Sequence, residues 1–405
     1  MSPSPSSPWL PPAVFLFASL TSCAESEQAP GPLVRDSAGI QIVENTSPAW
    51  TPGEAWRLSE EPVLTIGVAE GAEEYELYDV IGAFRVRNGE IAVACRSANQ
   101  IRFFDADGMY LRSVGRKGGG PGEFRIMFSM WRMGPDSLAV FEYGNARISV
   151  LGDNGAFGRT LRVDQVPGRP TLIPMGPFAD GSFLGAAHLL GDEEPLSEGV
   201  HRGTVLFVRW SGEGELLDTE VPRPNGERFH RPLHGRPLMG GPPFGREFGV
   251  VSAAAGWYYG SADRFEIEYL SPEGRLKRII RREVKNRPVT PEFREEWLRG
   301  ARARWADMPA PVLQWRLTMP FPETMPAHET ELATDEDGNL WVPEYKLPTE
   351  QPSWAVFDPD GRFLGVVGIP TGGRITHIGP DFVLGVWIDE MEVEQVRMYR
   401  LIKGN

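Results

Sequence analysis

Arg102-Phe103-Phe104-Asp105-Ala106-Asp107-Gly108, continued by Leu111-Arg112-Ser113-Val114-Gly115, is matched far down the chain by Ala355-Val356-Phe357-Asp358-Pro359-Asp360-Gly361 and Leu364-Gly365-Val366-Val367-Gly368. Each stretch alternates apolar residues, turns on Asp and Gly, and runs out through a second alternating segment to a glycine. That is the pattern of a β-hairpin. A hairpin that recurs hundreds of residues apart predicts a repeat architecture.

Working outward, two kinds of turn recur. The first precedes a small, apolar strand, at Asn88-Gly89, Pro135-Asp136, Asp180-Gly181, Ala255-Gly256, Asp337-Gly338 and Pro380-Asp381. The second follows later in each unit, at Asp107-Gly108, Asn154-Gly155, Glu213-Gly214, Glu273-Gly274 and Asp360-Gly361. Asp, Asn and Gly tolerate the backbone angles of tight turns. Six first turns and five second turns predict six four-stranded units, the last one short of its outer strand. Val63-Leu64-Thr65-Ile66-Gly67 has the form of the missing strand and lies just before the first unit. The expected fold is therefore all-β: a six-bladed β-propeller whose ring is closed by an N-terminal strand completing the last blade.

The linker Arg116-Lys117-Gly118-Gly119-Gly120-Pro121-Gly122-Glu123-Phe124 resembles that of NHL-type repeats, and Leu332-Ala333-Thr334-Asp335-Glu336-Asp337-Gly338-Asn339-Leu340-Trp341-Val342 resembles the start of such a blade. The arrangement is similar to the six-bladed, NHL-repeat-like or TolB-like propeller lipoproteins of bacteria, over roughly residues 56 to 405. Leu20-Thr21-Ser22-Cys23 ends the short apolar stretch Trp9 to Leu20 and resembles a bacterial lipobox. That resemblance implies a signal peptide over 1–22, a lipid anchor on Cys23, a tether over 23–32 and a propeller over 33–405, of which 33–67 is the N-terminal segment and closing strand. A plain secretory signal is the rival reading. The expected location is the cell envelope, facing the periplasm or the cell surface.

The formal charge of −14 argues against a protein that coats nucleic acid, so no nucleic-acid partner is expected. The basic run Lys277, Arg278, Arg281, Arg282, Lys285 and Arg287 reads as a solvated strand face. Only Cys23 and Cys95 exist, so a lipidated Cys23 leaves no disulfide, and Cys95 in Ile91-Ala92-Val93-Ala94-Cys95 reads as a core thiol. The glycine run 118–122 lacks a following Gly-Lys-Ser/Thr and reads as a blade-to-blade crossing. Asp335 to Asn339 lacks the glutamate of a calcium loop and reads as a hairpin turn.

The extra residues fall at one end of the blades. Residues 188–203 interrupt the third blade, 221–248 cross from the third to the fourth, and 287–326 cross from the fourth to the fifth. In the last, Thr290-Pro291-Glu292 predicts a helix start, and Phe293, Trp297, Ala301 and Trp305 form one apolar stripe. The stripe is expected to pack on the propeller rim; the alternative, a helix that docks a partner, requires the stripe to be exposed. The histidines follow the insertions: His188, His201, His230, His234, His328, and His377, which enters the sixth blade from that side. His188, His230, His234 and His328 are the candidate metal ligands, with Asp192, Glu193, Glu194, Glu247 and Glu329 as scattered partners. Pro232 rules out a helical zinc pair at 230 and 234. Arg125, Arg246, Glu247, His328, Glu329 and Arg374 are the candidate ligand-binding residues of this face.

Gly-x-Ser-x-Gly, His-Glu-x-x-His and a spaced Cys/His set are all absent, and no catalytic residue is assigned. The leading expectation is a lipid-anchored, non-enzymatic binding or scaffold protein, using the insertion-bearing face to hold a peptide, a glycan or an envelope protein. No cofactor is predicted. The alternative is a metal-assisted hydrolase or lyase, gluconolactonase-like or peptide-hydroxyglycine-lyase-like, with a divalent metal at the channel mouth. There His328 or Glu329 would point at the axis, and Arg125, Arg246 or Arg374 would hold an anionic substrate.

Overall fold

A computed structural model describes residues 31–134, 136–163, 172–189 and 197–404, with Met1. Cys23, the proposed signal peptide, nearly all of the tether and the side chain of His188 lie outside the described residues, as do Asp192, Glu193 and Glu194. The protein is all-β with few helices, and its strands are arranged in propeller-like sheets. No helix among the described residues is long and apolar enough to cross a membrane.

Both copies of the repeated phrase are hairpins. Gln100–Phe104 pairs antiparallel with Tyr110–Val114, and Ser353–Phe357 with Phe363–Gly368. The same atoms hold both turns. Asp105 Oδ1 accepts from the N–H groups of Asp107 and Met109 at 3.0 and 2.8 Å. Asp358 Oδ1 accepts from Asp360 and Arg362 at 3.0 and 2.9 Å. Period-2 alternation then sends Phe103 and Phe104 to opposite faces of their sheet, and each is fully buried against a different neighbour. The glycine closing the first phrase is required sterically. Gly115 has φ +93°, and a Cβ there would lie 2.5 Å from the Phe124 ring.

Among the described residues the strands fall into six sheets. Their innermost strands, in chain order, are Val80–Arg85, Met127–Arg132, Ile173–Pro177, Gly249–Ala253, Ala333–Thr334 and Gly373–Ile378. A separate apolar cluster fills each space between successive sheets, including the space between sixth and first, where Phe382 and Leu384 meet Val80, Ile91 and Phe104. Burying each of these large side chains contributes about 1.5–3 kcal/mol. Leu64–Ile66 pairs with Val396–Met398 on the outer edge of the sixth sheet.

Three features depart from the expected regular units. Ile40–Asn45 adds in parallel to Leu276–Arg282, with Leu33–Ser37 outside it, so the fourth sheet has six strands. The chain then crosses the fifth sheet, where the N–H groups of Ala49 and Trp50 donate to the carbonyls of Phe363 and Leu364. Residues 199–203 and 221–230 are not loop insertions. They extend strands Gly199–Trp210 and Leu216–His230, paired from Trp210↔Leu216 out to Gly199↔His230. Finally, the crossing 287–326 holds two helices rather than one: α1 (Pro291–Arg304), with Thr290 as its N-cap, and α2 (Ala310–Leu317).

The basic run lies on Leu276–Arg282 and the segment after it, and its four arginines are paired locally. Arg281 pairs with Glu266 at 2.5 Å and Glu44 at 3.1 Å, Arg282 with Glu344, Arg278 with Asp360 at 3.4 Å and Arg287 with Glu350 at 2.6 Å. The glycine run is held by its carbonyls. Arg147 donates to Gly119 O at 2.9 Å, Gly120 O at 3.1 Å and Glu123 O at 2.5 Å. A loop whose carbonyls face a guanidinium is the electrostatic reverse of a phosphate cradle. Cys95 is buried, and burial pushes its thiol up to about 11, which leaves it unreactive near neutral pH.

Candidate functional site

The residues singled out from the sequence lie toward the insertion-bearing end but do not converge on one point. Arg125 is exposed, and its backbone N–H donates to Glu142 Oε2 at 2.9 Å. Arg246 is held by Thr324 at 3.0 Å and Asp263 at 3.3 Å. Glu247 pairs with Arg228. Arg374 donates to the carbonyls of Val80 and Ile81 at 2.6 and 3.4 Å, which joins the sixth sheet to the first. Glu329 is half-buried, and burial raises its carboxyl pKa.

The metal candidates are equally dispersed. His230 is buried, with Nδ1 3.1 Å from the carbonyl of Ser197, and His234 is exposed. His328 is buried. Nδ1 lies 2.7 Å from the carbonyl of Glu329, and Nε2 has no hydrogen-bond partner. Burial lowers its pKa, and its Nε2 faces the backbone of Gly260, where a Cβ would be 2.7 Å away. Among the described residues, no three His, Cys, Asp or Glu side chains are grouped to hold a metal ion.

What does converge at this end is apolar. The stripe on α1 faces Phe244 from the third-to-fourth crossing and Leu347 and Pro348 from the fifth sheet's loop. Together they line a cavity of about 390 Å³. Trp297 meets Trp305 edge-on at 5.9 Å and Phe321 at 5.5 Å. Glu296, Arg299 and Arg304 complete the lining.

A second cavity, of about 520 Å³, is lined by residues of all six innermost strands. It lies at their C-terminal ends, where the first turns leave, opposite the insertions. Three polar side chains meet there: Arg132 from the second sheet, Glu336 from the fifth and His377 from the sixth. Arg132 pairs with Glu336. His377 Nε2 lies 2.9 Å from Glu336 Oε1 and 2.8 Å from Arg132 Nη1. The backbone N–H of Arg85, from the first sheet, donates to His377 Nδ1 at 3.1 Å. Nδ1 is therefore an acceptor, so Nε2 carries the proton that Glu336 accepts, and Arg132 Nη1 donates to Glu336 Oε1 rather than to the ring. The His377 hydrogen bond, with the Arg132 charge behind it, holds the Glu336 carboxyl down to about 2. Burial lowers the His377 pKa, and the nearby arginines add to that.

Chain order alone puts His377 with the other histidines. The structure sets it at the opposite end of its strand. Arg132 carries no motif, and Glu336 lies in the Asp335–Asn339 stretch, which reads as a hairpin turn and not as a site. Their one signal is position: each is a charged residue just before a first turn.

No family model matches the chain, and no curated protein matches it. Solved structures do. One is a member of the DUF4221 family from Bacteroides vulgatus, at 12% identity and TM-score 0.50, over 87% of this chain and 99% of that one. Another is a Bacteroides fragilis protein regarded as exported, at 11% identity and TM-score 0.49, over 90% and 100%. A third is a gluconolactonase from Xanthomonas campestris, at 13% identity and TM-score 0.42, over 87% and 99%. At these identities the likeness is one of fold.

Proposed function

We propose that the chain is a lipid-anchored propeller of the cell envelope that binds a partner without chemistry, through the insertion-bearing face. Six sheets with an apolar cluster between every successive pair support a closed, six-bladed, NHL-like ring, with Leu64–Ile66 as its closing strand. The observation that carries the binding reading is the aromatic cavity beside α1. Segments from three separate parts of the chain build it, and its Trp and Phe rings are half-buried rather than sealed. Water-accessible aromatic surface of this kind suits an apolar side group on a peptide or protein, with Arg299, Arg304 and Glu296 fixing its polar surroundings.

The polar constellation at the other end supports binding over catalysis. A carboxyl held to about 2 is a weak base at neutral pH, and an imidazole whose Nδ1 is already occupied by an N–H cannot shuttle protons through that atom.

The test is site-specific photocrosslinking in cells, with the probe placed at Glu296 or Arg299 and, as control, at Asp107 on the opposite face. A discrete crosslinked species from the α1 positions alone is expected, and it should vanish with Trp297→Ser. Equal products from both faces, or none from α1, overturn the binding reading. So does stoichiometric divalent metal lost on His328→Ala, which would favour the metal-assisted enzyme. Cys23→Ser should move the protein from the membrane to the soluble fraction.

A further inference from the structure

The cavity at the C-terminal ends of the innermost strands has unused hydrogen-bonding capacity of a particular kind. Both contacts to Glu336 go to Oε1, so among the described residues Oε2 accepts nothing. Among the described residues Arg132 uses only Nη1, leaving Nε and Nη2 without partners there. Trp131 Nε1 and the hydroxyl of Ser252 line the same space and are also unpartnered among the described residues. A free acceptor thus lies beside free donors, and Phe84, Met175, Phe178 and Val250 supply apolar walls.

The charges on the open side chains cancel. Arg132 contributes one positive charge, Glu336 one negative, and His377 is neutral because Arg85 N–H occupies Nδ1; the Asp335 carboxylate, also in the lining, is 9% exposed and has both oxygens taken by Asn339 and Trp341. A free carboxylate or phosphate entering here would leave a net negative charge in a partly desolvated site, and a lone ammonium a net positive one. A zwitterion would balance, but its ammonium, to reach Glu336, must approach the Arg132 guanidinium. Neighbouring hydroxyls carry no such cost. One donates to Glu336 Oε2, the next accepts from Arg132, and the C–H faces between them lie on Trp131 and Phe84.

We propose that this cavity is a binding site for a neutral, polyhydroxylated ligand, a sugar ring with vicinal hydroxyls being the simplest case. It is distinct from the aromatic cavity beside α1 and does not depend on it. About 520 Å³ accommodates one or two such rings.

The experiment is calorimetric and NMR titration of the purified full chain. The probes are D-glucose, N-acetylglucosamine and cellobiose, with L-alanyl-L-alanine and acetate as charged competitors. At least one sugar should bind, with an affinity unchanged between low and high salt, because no net charge is exchanged. Glu336→Gln should weaken it by about tenfold or more, since a charge-assisted bond is lost. Ser252→Ala should weaken it by a smaller factor, and it carries the test if Glu336→Gln does not fold. Trp297→Ser, in the other cavity, should leave it unchanged. Three results overturn the proposal: no sugar of the panel binds; the dipeptide or acetate binds instead, with salt-sensitive affinity; or sugar binding survives both cavity substitutions.

Discussion

His377 Nε2 stands 2.9 Å from Glu336 Oε1, and the two residues come from different sheets. The ring is fixed from its other side by Arg85 N–H, so protonating His377 would set two N–H groups face to face at Nδ1. Arg132 and Arg85 further oppose a second charge, while Glu336 favours it. The folded pKa is lowered, so His377 contributes stability that is present above its unfolded value, about 6.5. That stability is lost as pH falls below 6.5 through the folded pKa. Glu336, held to about 2, acts in the same sense over a lower window, from about 4.5 down to 2. The wild-type melting temperature should therefore drop between pH 7 and 5, and His377→Gln should flatten that segment and also reduce the pH 4.5 to 2 segment, because the His377 bond is the main contact holding the Glu336 carboxyl down. A His377→Gln curve parallel to wild type across pH 7 to 5 would refute this account.

Asp105 and Asp358 make the same two hydrogen bonds to their own turns, 2.8–3.0 Å in length. Replacing either with alanine should destabilise the protein by about 1 kcal/mol, because exposed turn N–H groups can turn to water. The two costs should agree within a few tenths and add in the double variant, since the sites are distant. Urea denaturation checks both points.

The all-β, propeller-like sheets are legible because strand alternation and turn residues are local in sequence and recur along the chain. The placement of Ile40–Asn45 is not. A parallel strand carries no turn to announce its partner, and nothing within the segment names Leu276–Arg282. The paired strands through 199–203 and 221–230 look like loops in sequence because Pro222, Pro224 and Gly226 interrupt the alternation there. The stripe on α1 was legible at 3.6-residue spacing, but the cavity it lines depends on Phe244 and Leu347, which sequence cannot bring near it. Arg132, Glu336 and His377 meet only because three sheets aim their inner strands at one axis.

Asn45 joins the N-terminal segment to two sheets through one side chain. Its Nδ2 donates to Arg281 O at 3.1 Å and Gly361 O at 3.0 Å, and its Oδ1 accepts from Phe363 N at 2.8 Å. The residue is 2% exposed, so alanine would leave a buried N–H and two carbonyls without it. Asn45→Ala should cost about 2–4 kcal/mol. Asn45→Asp should also destabilise, since it keeps the acceptor and replaces the donor with a buried charge. Chemical denaturation gives the cost. Limited proteolysis should then release the segment before residue 60 first. A loss below 0.5 kcal/mol would mean that water replaces all three bonds.

Glu142 is fully buried and receives four donors: Arg147 Nε at 2.5 Å, Asn145 Nδ2 and Arg125 N at 2.9 Å, and Ser149 Oγ at 3.4 Å. Arg147, only 12% exposed in its side chain, goes on to the carbonyls of the glycine-run crossing. The pair therefore ties the second sheet's interior to the linker that precedes it. Removing one partner strands the other's charge, so Glu142→Ala should cost about 3–5 kcal/mol, and Arg147→Ala a similar amount. The double variant should cost markedly less than their sum, because each single change already contains the penalty of the orphaned charge. Strict additivity would show that the two charges are solvated independently. Hydrogen exchange supplies the second readout. Gly118 N–H, bonded to Phe124 O at 3.0 Å, should lose protection in Arg147→Ala, while the Asp358 hairpin in the fifth sheet stays protected.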